Sequence, residues 1–331
     1  MFRILAADIG GTHSRMGFFE LHSDGMSSNV SAGADGLRLL DVARLRTHES
    51  LSFVALLERL FSTPQPFAPA QCDLAVLAVA GPVRGDICTP PNIGWNVDLR
   101  DIAQVGFTRG ALINDFTAQA FACRSSAVVD AQVLQPGRDH ELIRGGTVAV
   151  IGAGTGLGHC ALTPDGLGGY VPVPSEAGHA AFPFVGEEEY AYAEHVRRTA
   201  HLPYCHGDAI VTGGGLSRLH AYLTGESLTP PEVAERLPQS PRTAEWFARF
   251  YGRAARNYAL AVMALGGVYL AGGVAAKNPL LVEHPAFLEE FRSSPSHSEL
   301  LCGLPVLLNR NQDSGVHGAA LYAAQHLLRQ G

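Results

Sequence analysis

The sequence has few of the features that mark metal-binding, nucleic-acid-binding or membrane proteins. Its six cysteines form no CxxC pair and no spacing typical of metal ligands, so we expect reduced thiols in a protein core. Lysine and arginine total 24 against 31 aspartates and glutamates, a formal net charge of −7, and no basic block is present. A protein with this charge balance is poorly suited to binding the phosphate backbone of a nucleic acid, so we expect no nucleic-acid partner.

Long apolar runs are also lacking. Tyr258–Ala276 contains no charged residue, but the pairs Gly266-Gly267 and Gly272-Gly273 interrupt it. The segment therefore predicts a buried helix followed by a short strand rather than a membrane span. The apolar run before Asp8 is too short for the core of a signal peptide. We expect a cytoplasmic protein without membrane association.

What the sequence does contain is apolar residues and glycine. The 331 residues are 47% hydrophobic and 17% charged, which is ample for a buried core and, by length, for two domains. No low-complexity tract or linker separates two halves, so we expect the chain to cross between domains at ordinary turns. Glycine occurs 37 times, and two glycine-rich segments explain part of that excess.

The first glycine-rich segment is Asp8-Ile-Gly-Gly-Thr12, directly after an apolar strand that begins at Phe2. Consecutive glycines let backbone N–H groups approach an anion, and the threonine hydroxyl adds a donor. The aspartate before them can hold a hydrated Mg²⁺ beside bound phosphates. The segment predicts a phosphate-binding hairpin.

The second glycine-rich segment runs from Gly152 through Gly154-Thr155 to Gly158. A dinucleotide-binding fingerprint would need glycine at position 157, which is leucine, and the residues that follow have the pattern of a strand. A second phosphate hairpin explains the segment better. Together, the two hairpins suggest two related halves.

Three further segments carry polar or flexible residues at turns. Asn114-Asp115 follows a short strand, where it can project into a cleft or cap the next helix. Glu176-Ala-Gly-His179 places a carboxylate three residues from an imidazole, in a site or in a surface loop. Gly272-Gly273 forms either a tight strand–helix corner or a nucleotide contact. The residues alone leave these alternatives open.

Hydrophobic spacing predicts the regular elements. Ser314 is the expected N-cap of the last helix, and Thr224–Arg242 is expected to be an exposed connection. We expect strands over 72–80, 110–113, 268–271 and 305–309, helices over 51–61, 116–123, 187–198, 216–223, 243–265 and 314–328, and a loop around 175–184.

Six segments, in order, resemble the bacterial glucokinase family of the sugar-kinase, heat-shock-protein-70 and actin superfamily. They are Asp8-Ile-Gly-Gly-Thr12, Ala78-Val-Ala-Gly-Pro82, Ile113-Asn-Asp-Phe116, Gly152-Ala-Gly-Thr-Gly-Leu-Gly158, Glu176-Ala-Gly-His179 and Leu270-Ala-Gly-Gly273. The resemblance implies a two-domain α/β, actin-like ATPase (ribonuclease H-like) fold with a mixed sheet in each domain and an interdomain cleft. It also implies a small domain of residues 1–112 plus 313–331, a large domain of residues 113–312, and a homodimer.

The resemblance further implies an ATP-dependent glucokinase of glycolysis, with glucose and ATP as small-molecule partners and Mg²⁺ as cofactor. Asp115 would be the base for the sugar 6-hydroxyl, and Asp8 would hold Mg²⁺ through water. Sugar ligands would be Asn114, Asp115, Glu176, His179 and Asp208. ATP would contact Ala7, Asp8, Ile9, Gly10, Gly11, Thr12, Gly154, Thr155, Gly272 and Gly273.

Three positions depart from the family pattern. His13 stands where asparagine is usual, Pro91-Asn92 replaces a Thr-Asn pair, and Asp208 replaces a sugar-binding glutamate. A carboxylate one methylene shorter leaves open a kinase for another hexose or an amino sugar. A non-catalytic sugar- or nucleotide-binding regulator on the same fold is the other alternative, although a pure sensor has no need of Asp115.

Overall fold

The computed structural model describes residues 1–22, 36–138, 143 and 145–329. The chain forms two compact units, one of Met1–Asp130, Leu162–Pro174 and Asn311–Gly331, and one of Ala131–Ala161 and Ser175–Arg310. Each unit contains α-helices and a mixed β-sheet.

The first unit is built on a five-stranded sheet. Its strands are β1 (Phe2–Ile9), β2 (His13–Leu21), β3 (Leu37–Arg46), β4 (Leu74–Val79) and β8 (Gly110–Asn114), in the order β3-β2-β1-β4-β8. β1 pairs antiparallel with β2 and parallel with β4, and β4 pairs parallel with β8. All six residues of β4 are buried, as expected for a central strand covered on both faces. A small antiparallel sheet adds β5 (Val83–Arg84), β6 (Ile87–Cys88) and β7 (Val97–Asp98).

Helices cover both faces of that sheet. Residues of α1 (Phe53–Phe61) and α2 (Ile102–Val105) belong to the core on one face. Residues of α3 (Asp115–Ala122) and the last helix (Ser314–Leu328) form the core on the other. Short alanine and glycine side chains let these last two helices come close, since a Cβ on Gly318 would lie 1.8 Å from the carbonyl oxygen of Ala118.

This packing bears on the predicted domain boundary at 112/113. Because α3 packs on the last helix, it lies in the first unit, whose first segment ends after Asp130. Residues 162–174 also join that unit. The side chain of Gln325 accepts a hydrogen bond from the backbone nitrogen of Tyr170 (2.7 Å) and donates one to its carbonyl oxygen (2.8 Å).

The second unit contains a six-stranded sheet in the order β12-β11-β10-β13-β14-β9. The strands are β9 (Gln132–Gln135), β10 (Val148–Ala153), β11 (Leu157–Pro164), β12 (Tyr170–Ser175), β13 (Gly267–Ala271) and β14 (Val306–Leu308). Residues 162–164 of β11 and all of β12 except Ser175 belong to the first unit. β10, β13 and β14 run parallel, and β9 pairs antiparallel with β14. The strand pattern predicted after Gly156 is confirmed by β11, which excludes the strand-to-helix turn of a dinucleotide fingerprint there.

The remaining helices include one long, largely buried helix. In chain order they are α4 (Gly186–Thr199), α5 (Gly207–Ile210), α6 (Gly213–Thr224), α7 (Pro230–Arg236), α8 (Pro241–Ala261), α9 (Gly273–Lys277), α10 (Leu280–Glu283), α11 (Pro285–Arg292), α12 (Ser298–Gly303) and, in the first unit, α13 (Ser314–Leu328). α8 contributes aromatic and alanine side chains to the core of the second unit.

Two details of the predicted elements are wrong. The supposed connection Thr224–Arg242 contains α7, which begins with a capping box in which the Glu232 carboxylate accepts from the backbone nitrogen (2.8 Å) and hydroxyl (2.6 Å) of Thr229. Ser314 is the first residue of α13, and Asp313 before it is the N-cap; the Ser314 hydroxyl donates to the side-chain oxygen of Gln119 at 2.8 Å.

The expectation for the cysteines is confirmed. All six cysteines are free thiols, and five of them are buried. Among the helices that the structure describes, none has both the length and the apolar character needed to cross a bilayer.

Candidate active site

Hydrogen bonds of the Thr47 hydroxyl stabilise the turn between β1 and β2. The Thr47 hydroxyl donates to the carbonyl oxygen of Gly10 (2.7 Å) and lies 2.8 Å from the Ser14 hydroxyl. A Cβ on Gly11 would lie 2.9 Å from the Cβ of Asn92, so this turn has no room for a side chain. Thr12 is exposed. The structure thus shows the tight glycine turn that the sequence predicted, and its binding of an anion stays a prediction.

Asp8 lies at the end of β1, directly before that turn. Its side chain is 16% exposed, and the Arg15 Nη1 atom is 3.6 Å from its Oδ2 atom. Burial raises the pKa of Asp8, Arg15 opposes that shift, and the nearby Asp313 carboxylate reinforces it. Arg44 binds Asp313 at 2.5 Å, and Arg15 also lies 3.4 Å from Asp313. Two arginines therefore hold two carboxylates beside the turn.

Gly315 lies directly against the Asp8 side chain. A Cβ at this position would lie 2.7 Å from the Asp8 Oδ2 atom and 2.8 Å from its Cγ atom. Glycine at the start of α13 thus leaves space for the carboxylate, a requirement that the sequence alone did not reveal.

Asn114 and Asp115 stand where β8 meets α3. The Asn114 amide donates to the carbonyl oxygen of Gly81 (3.0 Å) and accepts from the backbone nitrogen of Phe116 (2.8 Å), so it caps α3. One N–H and one lone pair of the amide are left over for another partner. Asp115 begins α3, and its Oδ1 atom also accepts from Phe116 (3.0 Å). The pKa of Cys88 is raised to about 11, chiefly by burial and further by the Asp115 carboxylate near it.

In the second unit, the turn between β10 and β11 is tied to two helices. The Gly154 nitrogen donates to the Gly156 carbonyl oxygen (2.8 Å), and the Gly154 carbonyl accepts from Gly213 at the start of α6 (3.0 Å). The Leu157 nitrogen donates to the Asp208 Oδ1 atom of α5 at 2.5 Å. Thr155 is exposed at the tip of this turn. Asp208, predicted as a sugar ligand, therefore supports the turn between β10 and β11.

Glu176 and His179 lie on a short 3₁₀ turn with exposed side chains. The Tyr204 hydroxyl donates to the carbonyl oxygen of His179 at 3.1 Å. The ring of His206 lies 5.5 Å from that of His179, centroid to centroid. Burial lowers the pKa of His206, the Asp208 carboxylate opposes this, and His179 and Arg218 add to it. Sequence reasoning missed His206, whose only signal is its position two residues before Asp208.

The Gly272-Gly273 corner follows β13. Gly272 has φ +84°, and a Cβ there would lie 2.5 Å from the Ala153 carbonyl oxygen, so the position needs glycine. The hydroxyl of Tyr251, which is buried, accepts from the Ala153 nitrogen (3.2 Å) and donates to the Ala271 carbonyl (3.4 Å). Tyr251 thus joins the ends of β10 and β13, where the second glycine turn and the corner begin. No pattern in the sequence predicted this role.

Among the residues that the structure describes, no group of three or more histidine, cysteine, aspartate or glutamate side chains forms a metal cage. Mg²⁺ keeps several waters and binds one or two carboxylates together with substrate phosphates. Asp8, directly before the glycine turn, offers one carboxylate of that kind.

Comparison with known proteins gives a consistent result. The family model described as Glucokinase matches residues 5–326. A glucokinase of Chelativorans sp. (strain BNC1) is 30% identical over 97% of this chain and 91% of its own. The crystal structure of a glucokinase from an Antarctic psychrotroph is 24% identical and superposes with a TM-score of 0.80 over 97% of this chain and 98% of that one. A ROK-family glucokinase of Streptomyces griseus, solved with glucose and AMPPNP, is 18% identical with a TM-score of 0.59 over 99% and 100%. By sequence and by fold, the chain belongs to the glucokinase family.

Proposed function

We propose that the protein transfers the γ-phosphoryl group of ATP to the 6-hydroxyl of glucose. The observation that carries the proposal is Asp115, a carboxylate at the start of α3 beside an asparagine that keeps hydrogen-bonding capacity. Relatives of this chain are named glucokinases, and one structural neighbour, the ROK-family glucokinase of Streptomyces griseus, was solved with glucose and AMPPNP. In this proposal, the fold is actin-like, and residues of both units act on the two substrates.

The proposed reaction places one task on each group of residues. The Asp115 carboxylate takes the proton from the sugar O6 atom as that oxygen bonds to the γ-phosphorus, and the bond to the β-phosphate oxygen breaks to release ADP. The glycine turns after Asp8 and Gly152 would offer the phosphates their backbone N–H groups other than those of Gly10 and Gly154, which donate within their own turns. Mg²⁺, held by Asp8 through water, would neutralise the charge on the phosphates. Glu176, His179 and Asn114 would bind the remaining sugar hydroxyls, and Gly272-Gly273 would lie beside the adenosine.

ADP release from Mg·ATP, measured against a panel of hexoses and amino sugars, tests this function. Glucose-dependent release is the expected result. If ADP were released with another sugar but not with glucose, the protein would still be a phosphotransferase, but glucose would not be its acceptor. Protein that binds ATP and a sugar without releasing ADP would be a regulator instead of a kinase.

A kinase for another hexose or an amino sugar is the second candidate, and the environment of Asp208 favours it. The carboxylate is shorter than the usual glutamate and is already engaged by the Leu157 nitrogen. Its reach toward a sugar hydroxyl therefore differs from the family pattern.

Two substitutions at Asp208 separate its sugar role from its support of the hairpin. Asp208→Asn keeps an oxygen that can accept from Leu157, so we expect only the KM for the sugar to rise. Asp208→Ala leaves the Leu157 N–H unpaired, so we expect the KM values for both ATP and the sugar to rise by about tenfold. Steady-state kinetics with each substrate varied in turn would show this. Equal effects of the two variants on ATP would contradict the supporting role.

The space left by Gly315 gives a prediction on Asp8. A methyl group in Gly315→Ala must displace the Asp8 carboxylate, so we expect Mg·ADP binding to weaken by about tenfold while Mg²⁺-free ADP binding is unchanged. Calorimetric titration with and without Mg²⁺ measures both. Gly94→Ala is the matched control, since a Cβ at Gly94 would meet no atom within 4 Å. If Gly315→Ala bound Mg·ADP with wild-type affinity, Asp8 would not be part of the metal site.

We further propose that the protein acts in the cytoplasm and that it forms a homodimer. Analytical ultracentrifugation across a concentration series would test the dimer, which predicts twice the 35.1 kDa mass of one chain.

A further inference from the structure

A pocket of about 220 Å³ lies in the second unit, separate from the residues assigned above to sugar and nucleotide. Its floor is formed by the buried residues Leu157, His159 and Tyr258, and its rim by the exposed residues Pro183, Asn257 and Ala261. An apolar cavity of roughly 150 Å³ accommodates a benzene ring. This pocket therefore has room for a single ring with a small substituent.

The chemistry of the floor restricts the charge of a ligand. None of the residues around the pocket is an acid, a lysine or an arginine. His159 is only 4% exposed, and burial lowers its pKa to about 4, so its ring is neutral at pH 7. A charged ligand would lose its hydration without gaining a counter-charge. The pocket therefore selects uncharged molecules.

The same histidine offers one specific polar contact. Its Nδ1 atom lies 3.1 Å from the Leu157 carbonyl oxygen, and a carbonyl can only accept, so Nδ1 carries the proton. The Nε2 atom of the neutral ring is then a lone-pair acceptor, and among the residues that the structure describes His159 forms a hydrogen bond through Nδ1 only. The Tyr258 ring packs edge-to-face on His159 at 4.6 Å, which an incoming aromatic ring can extend.

The pocket also adjoins the turn that carries Glu176 and His179, two of the proposed sugar ligands. Ala177, in its wall, follows Glu176, and Gly207, also in its wall, separates His206 from Asp208. A molecule in the pocket would restrain the turn that carries Glu176 and His179, whose side chains are about two-thirds exposed. Restraining that turn in advance lowers the cost of ordering it around a sugar.

We propose that this pocket binds a neutral, single-ring molecule with one hydrogen-bond donor, and that its occupancy tightens sugar binding. The binding itself is independent of the proposed function, whereas the coupling to glucose rests on it.

Calorimetric titration of the full-length protein with phenol and with toluene tests the binding. We expect phenol to bind with a Kd of about 1 mM and toluene about tenfold more weakly, because only phenol donates to His159. His159→Phe should reduce phenol to the affinity of toluene and leave toluene unchanged. Equal affinities in the wild type, or an unchanged phenol affinity in His159→Phe, would overturn the assignment.

A second variant controls for a misfolded His159→Phe protein. Ala254, a buried residue of α8, also lines the pocket, and Ala254→Leu should fill it and abolish binding of both ligands. Unfolding curves and ADP binding establish that each variant is folded. Wild-type phenol binding in a folded Ala254→Leu protein would show that the ligand binds elsewhere.

Glucose titrations with and without saturating phenol test the coupling. We expect phenol to lower the Kd for glucose by about fivefold, and glucose to lower that for phenol by the same factor. Unchanged glucose affinity in protein that binds phenol would reject the coupling. Protein that binds phenol but no glucose would instead contradict the proposed function.

Discussion

We expect Asp115→Asn to lower kcat for sugar phosphorylation by a factor of about 10² to 10⁴, with the Kd for the sugar changed less than a few-fold. The amide keeps the size of the side chain and still accepts from Phe116, so α3 should stay capped as it is in the wild type. What it loses is the capacity to take the O6 proton. Single-turnover kinetics together with sugar titration by calorimetry would separate the chemical step from binding.

Asp130→Asn is the matched control for this variant. Asp130 is an exposed aspartate of the same unit, and its substitution removes the same charge without touching α3. Near-normal turnover by Asp115→Asn would show that another group accepts the proton. A large loss of sugar affinity would show that Asp115 is mainly a ligand.

The second large effect concerns a charge network in the core of the second unit. Arg253 has a side chain only 1% exposed and donates to Glu189 (2.5 Å), Glu290 (2.9 Å) and the Pro183 carbonyl oxygen (3.0 Å). Arg253→Ala leaves the Glu189 carboxylate without its nearest partner and leaves Glu290 bound to Arg256 alone (2.9 Å). We expect the free energy of unfolding to fall by about 3–5 kcal/mol, as measured by chemical denaturation.

Arg197→Ala is the control for this loss, because Arg197 and its partner Glu194 are both about half exposed. We expect it to cost less than about 1 kcal/mol. A similarly small cost for Arg253→Ala would mean that water reaches the carboxylates and solvates them.

The pH dependence of stability gives an independent check on the same network. Burial by itself would raise the pKa of Glu290, but Arg253 and Arg256 together lower it below its usual value through their hydrogen bonds and charges. In the wild type, Glu290 therefore contributes stability above its unfolded pKa, and that contribution is lost in acid. Without Arg253, only Arg256 opposes the effect of burial, so the pKa of Glu290 is higher than in the wild type. We expect the stability lost by the variant relative to wild type to grow as the pH increases through the usual pKa of a glutamate, and the reverse trend would contradict the pairing.

Local pattern was enough to predict the glycine turns and most strands and helices. Asp8-Ile-Gly-Gly-Thr12 and the turn at Gly154-Thr155 were found because strand, turn and return strand are adjacent in sequence. The Asn114 cap was one of two alternatives at its turn, and the structure shows that it is made. Such features depend on neighbours within a few residues.

The supports of the candidate site depend instead on partners far along the chain. Tyr251 binds Ala153 across 98 residues, and Gly315 makes room for Asp8 from the opposite end of the sequence. His206 meets His179 only because the chain returns to that turn. A single sequence does not specify which distant segments will pack together, so none of these contacts could be predicted. The pairing of Glu189 with Arg253 was missed for the same reason, since Glu189 resembled an ordinary acidic residue in the first turn of a helix.

The most direct test of the central claim is to identify the product. Glucose and Mg·ATP incubated with the protein should give ADP and a sugar phosphate whose phosphorus couples to the two H6 protons in a ¹H–³¹P correlation spectrum. The same incubation with 6-deoxyglucose should leave ATP intact, because that sugar has no hydroxyl at carbon 6. Phosphate on a different carbon, or inorganic phosphate in place of a sugar phosphate, would contradict the assignment of this protein as a hexose 6-phosphotransferase.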